Sequence, residues 1–322
     1  MKKIDRQKLC ELFSRLDHLC NSVSIFKDTR VSYCDKKFKS FIESDNKKVF
    51  LDGLHSVIST ISQLPIKQKS NKAIKNSSSK KTGNKIDYEL TKFAIVSRNS
   101  FTVCLFASDI DLLTFDDIKE WLPDSNKPDE FHPYSKSIID KLLDEKIVPL
   151  FSQVPIVNTD HRIVSAIDLI GINMKTLTPV VIEVKTGFDS RVYGQGTYYL
   201  HNRYGSDIKM CQKTGHLLQL FYYSKWLRDQ GFDTMCKDYV IVANRYANNG
   251  VDKWFSIPKQ WREGPISDNI YSAFGNREYI VNRQKTDRNG QNQCISKIFQ
   301  KSSSSSEKKI GPRKIYDYKK ND

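Results

Sequence analysis

Two apolar runs at positions 163–172 and 179–186, joined by a short polar stretch at 174–178, constrain this chain more tightly than anything else in it. Each run has the length of a strand and is rich in Val and Ile, and the connection between them suits a hairpin. The second run, Pro179-Val180-Val181-Ile182-Glu183-Val184-Lys185-Thr186, begins purely apolar and ends with two charges spaced two apart. Side chains alternate along a strand, so Glu183 and Lys185 share one face while Ile182 and Val184 point the other way, into a core. The first run carries a single acid, Asp168, within Ile167-Asp168-Leu169-Ile170. Pairing the two runs as a hairpin brings Asp168 near Glu183.

Two carboxylates set together in an apolar environment need a counter-charge, because buried unpaired acids are costly. A divalent cation with a preference for oxygen supplies one, and Mg2+ takes one or two carboxylates and completes its shell with water and phosphate oxygens. Such an ion polarises a scissile phosphate and acidifies water. Lys185 is placed to orient that water or to neutralise charge developing on phosphorus. The pattern therefore predicts a metal-dependent phosphodiesterase centre, with Asp168 and Glu183 as ligands to Mg2+ (or Mn2+) and Lys185 as the assisting cation. The plainer alternative for Glu183 and Lys185 is a surface salt bridge on an edge strand.

The order Asp168, fourteen intervening residues, Glu183, Val184, Lys185 resembles the PD-(D/E)XK nuclease superfamily, with Ile167 where a proline customarily precedes the acid. Downstream, Gln219 and Tyr223 form Q-x-x-x-Y within His216-Leu217-Leu218-Gln219-Leu220-Phe221-Tyr222-Tyr223. Four residues apart, they share one face of a helix. This second motif is similar to that of the RecB-like branch, which includes phage-lambda-type exonucleases, and the likeness covers about 133–243. The resemblance implies an α/β, restriction-endonuclease-like core with a mixed central sheet flanked by helices. It also implies DNA as substrate, with Gln219 and Tyr223 supporting the site. That branch carries one more metal-shell residue on an upstream helix; here Asp140, or His132 just before that helix, stands nearest the expected place. Roles in recombination, repair, or viral and mobile-element replication go with the family. The alternative is a non-catalytic nucleic-acid-binding protein on a degenerate nuclease fold.

The charge balance agrees with a polyanionic partner: 52 Lys and Arg against 37 Asp and Glu, a net +15 over 322 residues. The segment 191–213 interleaves Arg191, Arg203, Lys209 and Lys213 with Tyr193, Tyr198, Tyr199 and Tyr204. Cations that neutralise phosphates and rings that stack on bases make it the candidate nucleic-acid-binding segment. No apolar run reaches the ~20 residues of a membrane span, and no signal core follows the basic start, so a soluble, intracellular protein is expected, nucleus or cytoplasm unresolved. The seven cysteines are widely spaced with no C-x-x-C, which points to reduced thiols rather than a disulfide framework or zinc ribbon. His132, His161, His201 and His216 show no zinc-ligand spacing and are expected to be structural or surface residues.

Around this core the organisation reads as follows. Residues 1–64 form a helical N-terminal region, with apolar faces at Leu9, Leu12, Phe13, Leu16 and Leu19 and again at Val49, Leu51, Leu54, Val57, Ile58 and Ile61. Residues 65–87 hold a lysine-rich stretch without acids up to Lys85, expected to be a disordered tether. A nuclease-like domain spans 88–281, with its core at about 133–258. Within it, strands are predicted at 93–96 and 101–106, helices at 115–122, 135–146 and 209–228, and further strands at 239–243 and 254–257. The polar, basic tail 282–322 is expected to be disordered, like the tether.

Overall fold

The computed structural model of the chain describes residues 3–22, 31–34, 39–44, 47–62, 73–123, 131–186, 198–200, 204, 209–233, 238–243, 251–277, 281–286 and 292–295. In chain order, β1 (Ile4–Asp5) leads into α1 (Arg6–Ser22), followed by β2 (Val31–Cys34), β3 (Lys39–Ser44), β4 (Lys47–Phe50) and β5 (Asp52–Gly53). Then come α2 (Leu54–Ile61), α3 (Ala73–Ala107), β6 (Leu112–Leu113), α4 (Phe115–Glu120) and α5 (Pro133–Asp144). Three long strands follow, β7 (Ile147–Asn158), β8 (Ile163–Asn173) and β9 (Thr178–Thr186), and then the short β10 (Tyr198–Leu200) and β11 (Lys209–Met210). The chain continues through α6 (Gln212–Asp229), β12 (Tyr239–Ala243), β13 (Val251–Ser256), α7 (Lys259–Arg262), α8 (Gly264–Asn276), β14 (Val281–Thr286) and β15 (Asn292–Ile295).

The fold is α/β, built on a six-stranded mixed sheet of order β13-β12-β9-β8-β5, with β7 also paired to β8. The expected hairpin is present: β8 and β9 run antiparallel from Asn173↔Thr178 to Leu169↔Ile182. β9 then pairs in parallel with β12, from Tyr239↔Ile182 to Ala243↔Thr186, a geometry that needs a crossover, and α6 lies in it. The hairpin strands are apolar on both faces because helices cover the sheet: Ile167, Ile170, Val180, Val181, Ile182, Val240 and Ile241 are all fully buried. Glu183 and Lys185 therefore stand on an interior strand, which removes the edge-strand salt-bridge reading.

The longest strand pair, β7 with β8, escapes a sequence reading because β7 contains Pro149 and Pro155, residues that argue against a central strand. β7 accommodates them by pairing only with β8 among the described residues and by shifting register between Pro149 and Phe151. The strands come so close there that a Cβ on Gly171 would stand 2.8 Å from the Val148 carbonyl oxygen.

Three expectations need correction. First, residues 93–96 and 101–106 are not strands, and the second half of the supposed tether is not outside the fold: both belong to α3. Short apolar runs do not distinguish a strand from a buried helix by themselves. Here Ile86, Leu90, Phe93, Ala94, Ser97, Phe101 and Leu105 repeat at helical spacing and are buried, and Phe101 meets Phe13 of α1 at 5.3 Å between ring centroids. That tertiary packing outweighs the weak helix propensity of the Gly- and Ser-containing stretch before it. Second, the N-terminal region is helical in α1 and α2 but also holds the antiparallel sheet β2-β3-β4, in which Phe41 and Phe50 pair across strands. Val49 falls in β4, and Leu51 just precedes β5, rather than in a helix. Third, the start of the supposed tail pairs as the hairpin β14–β15. Residues 63–72 and 296–322 lie outside the described residues.

Candidate active site

The hairpin ladder stops at Leu169↔Ile182, and Asp168 takes over where it stops. Its Oδ2 accepts a hydrogen bond from the Val184 backbone N–H at 2.8 Å, which fixes the carboxylate across from Glu183. On β9, Lys185 donates through Nζ to Glu183 Oε1. The Glu183 side chain is 1% exposed and that of Lys185 19%. The other Glu183 oxygen, Oε2, is buried without a hydrogen-bond partner. The three residues singled out from the sequence thus converge on one point.

The electrostatics follow from this crowding. Burial, and then repulsion from Asp168, push the Glu183 carboxyl up to about 8, with Lys185 acting against them. Burial likewise raises Asp168, opposed by Lys185 and by the Val184 N–H. For Lys185, burial disfavours the ammonium, but the Glu183 and Asp168 carboxylates prevail and hold its pKa above the usual lysine value. The centre is an acid pair short of positive charge, with one lysine that stays protonated at neutral pH.

α6 braces this arrangement from the side. Gln219 Nε2 donates to Tyr223 Oη at 2.8 Å, and Tyr223 Oη donates to the Ala166 carbonyl oxygen at 2.8 Å and also meets Ser165 Oγ at 2.8 Å. The Q-x-x-x-Y pair is therefore a clamp on β8 two residues before Asp168. Tyr223 is fully buried; burial and then the nearby Glu183 charge raise its phenol well above the ordinary value.

Two neighbours escape the sequence reading. Asp87 of α3 lies at the solvent edge of the site, where partial burial and then the Asp168 charge raise it to about 6 and Lys185 pulls it down. α3 comes this close because Gly83, one turn earlier, has no side chain: a Cβ there would sit 3.0 Å from Thr186 Oγ1. His216, set aside as structural or surface, is buried on the same α6 face as Gln219 and Tyr223. Burial, then the Lys185 charge, hold its pKa well below the usual histidine value.

Asp140 is placed elsewhere. It lines an open cleft on α5 with Pro133, Lys136, Ser137, Lys141 and Asp144, and the upstream acid that interacts with Asp168 is Asp87 instead. His132 caps α5, its Nδ1 accepting from the Tyr134 N–H at 3.2 Å. Glu89 of α3 reinforces that helix start by accepting from the His132 N–H and from Ser135 Oγ. His161 is also structural, hydrogen-bonded to Tyr222 Oη at 3.2 Å. Of the candidate nucleic-acid contacts, Arg191, Tyr193 and Arg203, like His201, lie outside the described residues. Lys209 begins β11, and Lys213 sits 4.1 Å over the Phe255 ring. Tyr204 is fully buried and so is not free to stack on a base.

Among the described residues, no group of three or more His, Cys, Asp and Glu is spaced to hold an ion. The two acids nevertheless fit Mg2+ or Mn2+ in donor type: both offer hard oxygens, and the orphaned Glu183 Oε2 is a buried acceptor that a cation would satisfy. Among the described residues no helix is long and apolar enough to cross a membrane. The chain matches no protein-family model and no curated protein.

Proposed function

We propose that this chain is a Mg2+- or Mn2+-dependent nuclease that hydrolyses DNA phosphodiester bonds. The observation that carries the reading is Glu183: a buried carboxylate with one oxygen unpaired, next to Asp168 and bonded to Lys185. A stable protein seldom leaves a buried polar oxygen unpaired unless a ligand completes it. Asp168 and Glu183 would hold the ion, which when bound supplies positive charge against the scissile phosphate and acidifies the attacking water. Lys185, kept protonated by the acids around it, directs a hydrogen bond and a fixed charge toward the site of attack. Gln219 and Tyr223 keep β8, and so Asp168, from shifting. The net charge of +15 favours a polyanion as substrate. The resemblance to RecB-like and phage-lambda-type enzymes supports an exonuclease serving recombination, repair, or viral or mobile-element replication.

The absence of a three-ligand group among the described residues favours a second reading, a nucleic-acid-binding protein on a degenerate nuclease fold. One experiment separates the two. Linear double-stranded, linear single-stranded and closed circular DNA are incubated with the full chain in Mg2+, Mn2+ or EDTA, beside Lys185→Ala. Degradation that needs the metal, spares circles and disappears in the variant is the expected result. DNA binding by both proteins with cleavage by neither would leave only the binding module.

A further inference from the structure

All large apolar side chains that stand well exposed among the described residues fall between positions 88 and 112: Tyr88, Ile95, Val96, Val103, Phe106, Ile110 and Leu112, each showing 40–69% of its surface. Five of them are on α3. At 3.6 residues per turn, steps of seven, eight and eleven return to the same side of a helix, so Tyr88, Ile95, Val103 and Phe106 make one stripe, with Val96 on its flank. The opposite side, with Ile86, Leu90, Phe93, Phe101 and Leu105, is the one packed into the core. α3 is therefore apolar on two sides, and only one is covered. The outer stripe runs for about 27 Å along the helix. Monomers seldom leave a contiguous apolar patch of more than a few hundred Å2 in water.

We propose that this stripe pairs antiparallel with the same stripe of a second copy, making the chain a twofold dimer. Two features favour a second copy. The spacing on α3 is close to palindromic: Ile95 and Phe106, and Val96 and Val103, each straddle position 100 to within about a residue, which suits an isologous contact. The charges are polar along the axis: exposed Lys81 and Lys85 lie at one end, and exposed Asp109, Asp111 and Asp116 at or beyond the other. An antiparallel pair sets the basic end of each copy against the acidic end of its mate. Exposed Lys92 interrupts the basic half of the stripe, and Asn99, exposed near its centre, is positioned to fix the register, as a polar residue does in paired helices. The inference is independent of the nuclease reading.

Sedimentation velocity of the full chain at micromolar concentration tests it. The wild type should sediment as a dimer. Val103→Glu and, separately, Phe106→Glu should sediment as monomers, dimerisation weakened by at least about 100-fold. Val103 is 68% exposed, so circular dichroism and thermal unfolding of Val103→Glu should show an intact fold; Phe106 also meets the Phe13 ring at 6.4 Å, and Phe106→Glu is the second, less conservative probe. Asn99→Cys should form an intermolecular disulfide on mild oxidation where the wild type does not. A monomeric wild type, or a dimer that survives Val103→Glu, would overturn the proposal.

Discussion

Glu183 on β9 and Asp238, just before the neighbouring β12, are both essentially inaccessible, at 1% and 2% exposure, and burial raises both, to about 8 and about 7. Their surroundings separate them. Asp238 accepts from the Val181 N–H with one oxygen and from Ser224 Oγ with the other, so it ties β9 to α6 and is complete as it stands. Glu183 shares one oxygen with Lys185 and leaves the other without a partner, beside a second acid. Burial alone marks neither as functional. What distinguishes a structural peg from a binding centre is whether the protein satisfies the group itself.

The sharpest test of that contrast is activity. Glu183→Gln should lower metal-dependent DNA hydrolysis by about 10³-fold or more, whereas Asp238→Ala should leave turnover per folded molecule within about tenfold and instead cost on the order of 2–5 kcal/mol of stability. Equal losses of turnover in the two variants would erase the distinction. Metal linkage comes next. Saturating Mg2+ should raise the melting temperature of the wild type and of Asp238→Ala, by about 2.7 kcal/mol of stability at 100 times Kd, and should leave Glu183→Gln and Asp168→Asn unmoved. A third variant, Tyr223→Phe, removes the hydroxyl shared by Gln219, Ser165 and Ala166 and should cost about 1–3 kcal/mol in denaturant titrations.

The last test is in pH. A carboxyl raised from 4.5 to about 8 on folding favours the neutral native form, so its contribution is complete below 4.5 and is lost as pH rises through about 8. Asp238 has the same sign, from 3.8 to about 7. In EDTA, the melting temperature should fall from pH 5 to 8, less steeply in Glu183→Gln. Because a cation binds the carboxylate form, the Mg2+ gain should grow over the same range.

The convergence of the candidate site was legible in the sequence as far as it is local. Asp168, Glu183 and Lys185 sit on two strands joined by a short turn, so alternation alone brings them together, and Gln219 and Tyr223 need only the helical repeat. Asp87 could not be found this way: it reaches the site through α3, in a lysine-rich stretch whose composition suggests no structure at all. Asp140 stands on the helix shortly before β8 and β9 in the chain, yet that proximity does not bring it into a group with the acids. β7 was hidden by Pro149 and Pro155, and α3 by apolar residues on two sides, a pattern that blurs the helical period. Each of these depends on what the segment packs against, which no local pattern records.

The close approach at Gly83 has a mechanical consequence. Where α3 passes the end of β9 there is room for no side chain between Gly83 and the Thr186 hydroxyl, so this point acts as a fulcrum. Asp87 rides on a short arm one turn away, while Val103 and Phe106 ride on an arm several turns longer. A helix is stiff over that length, so whatever grips its far end also sets the angle at which its near end meets the acids.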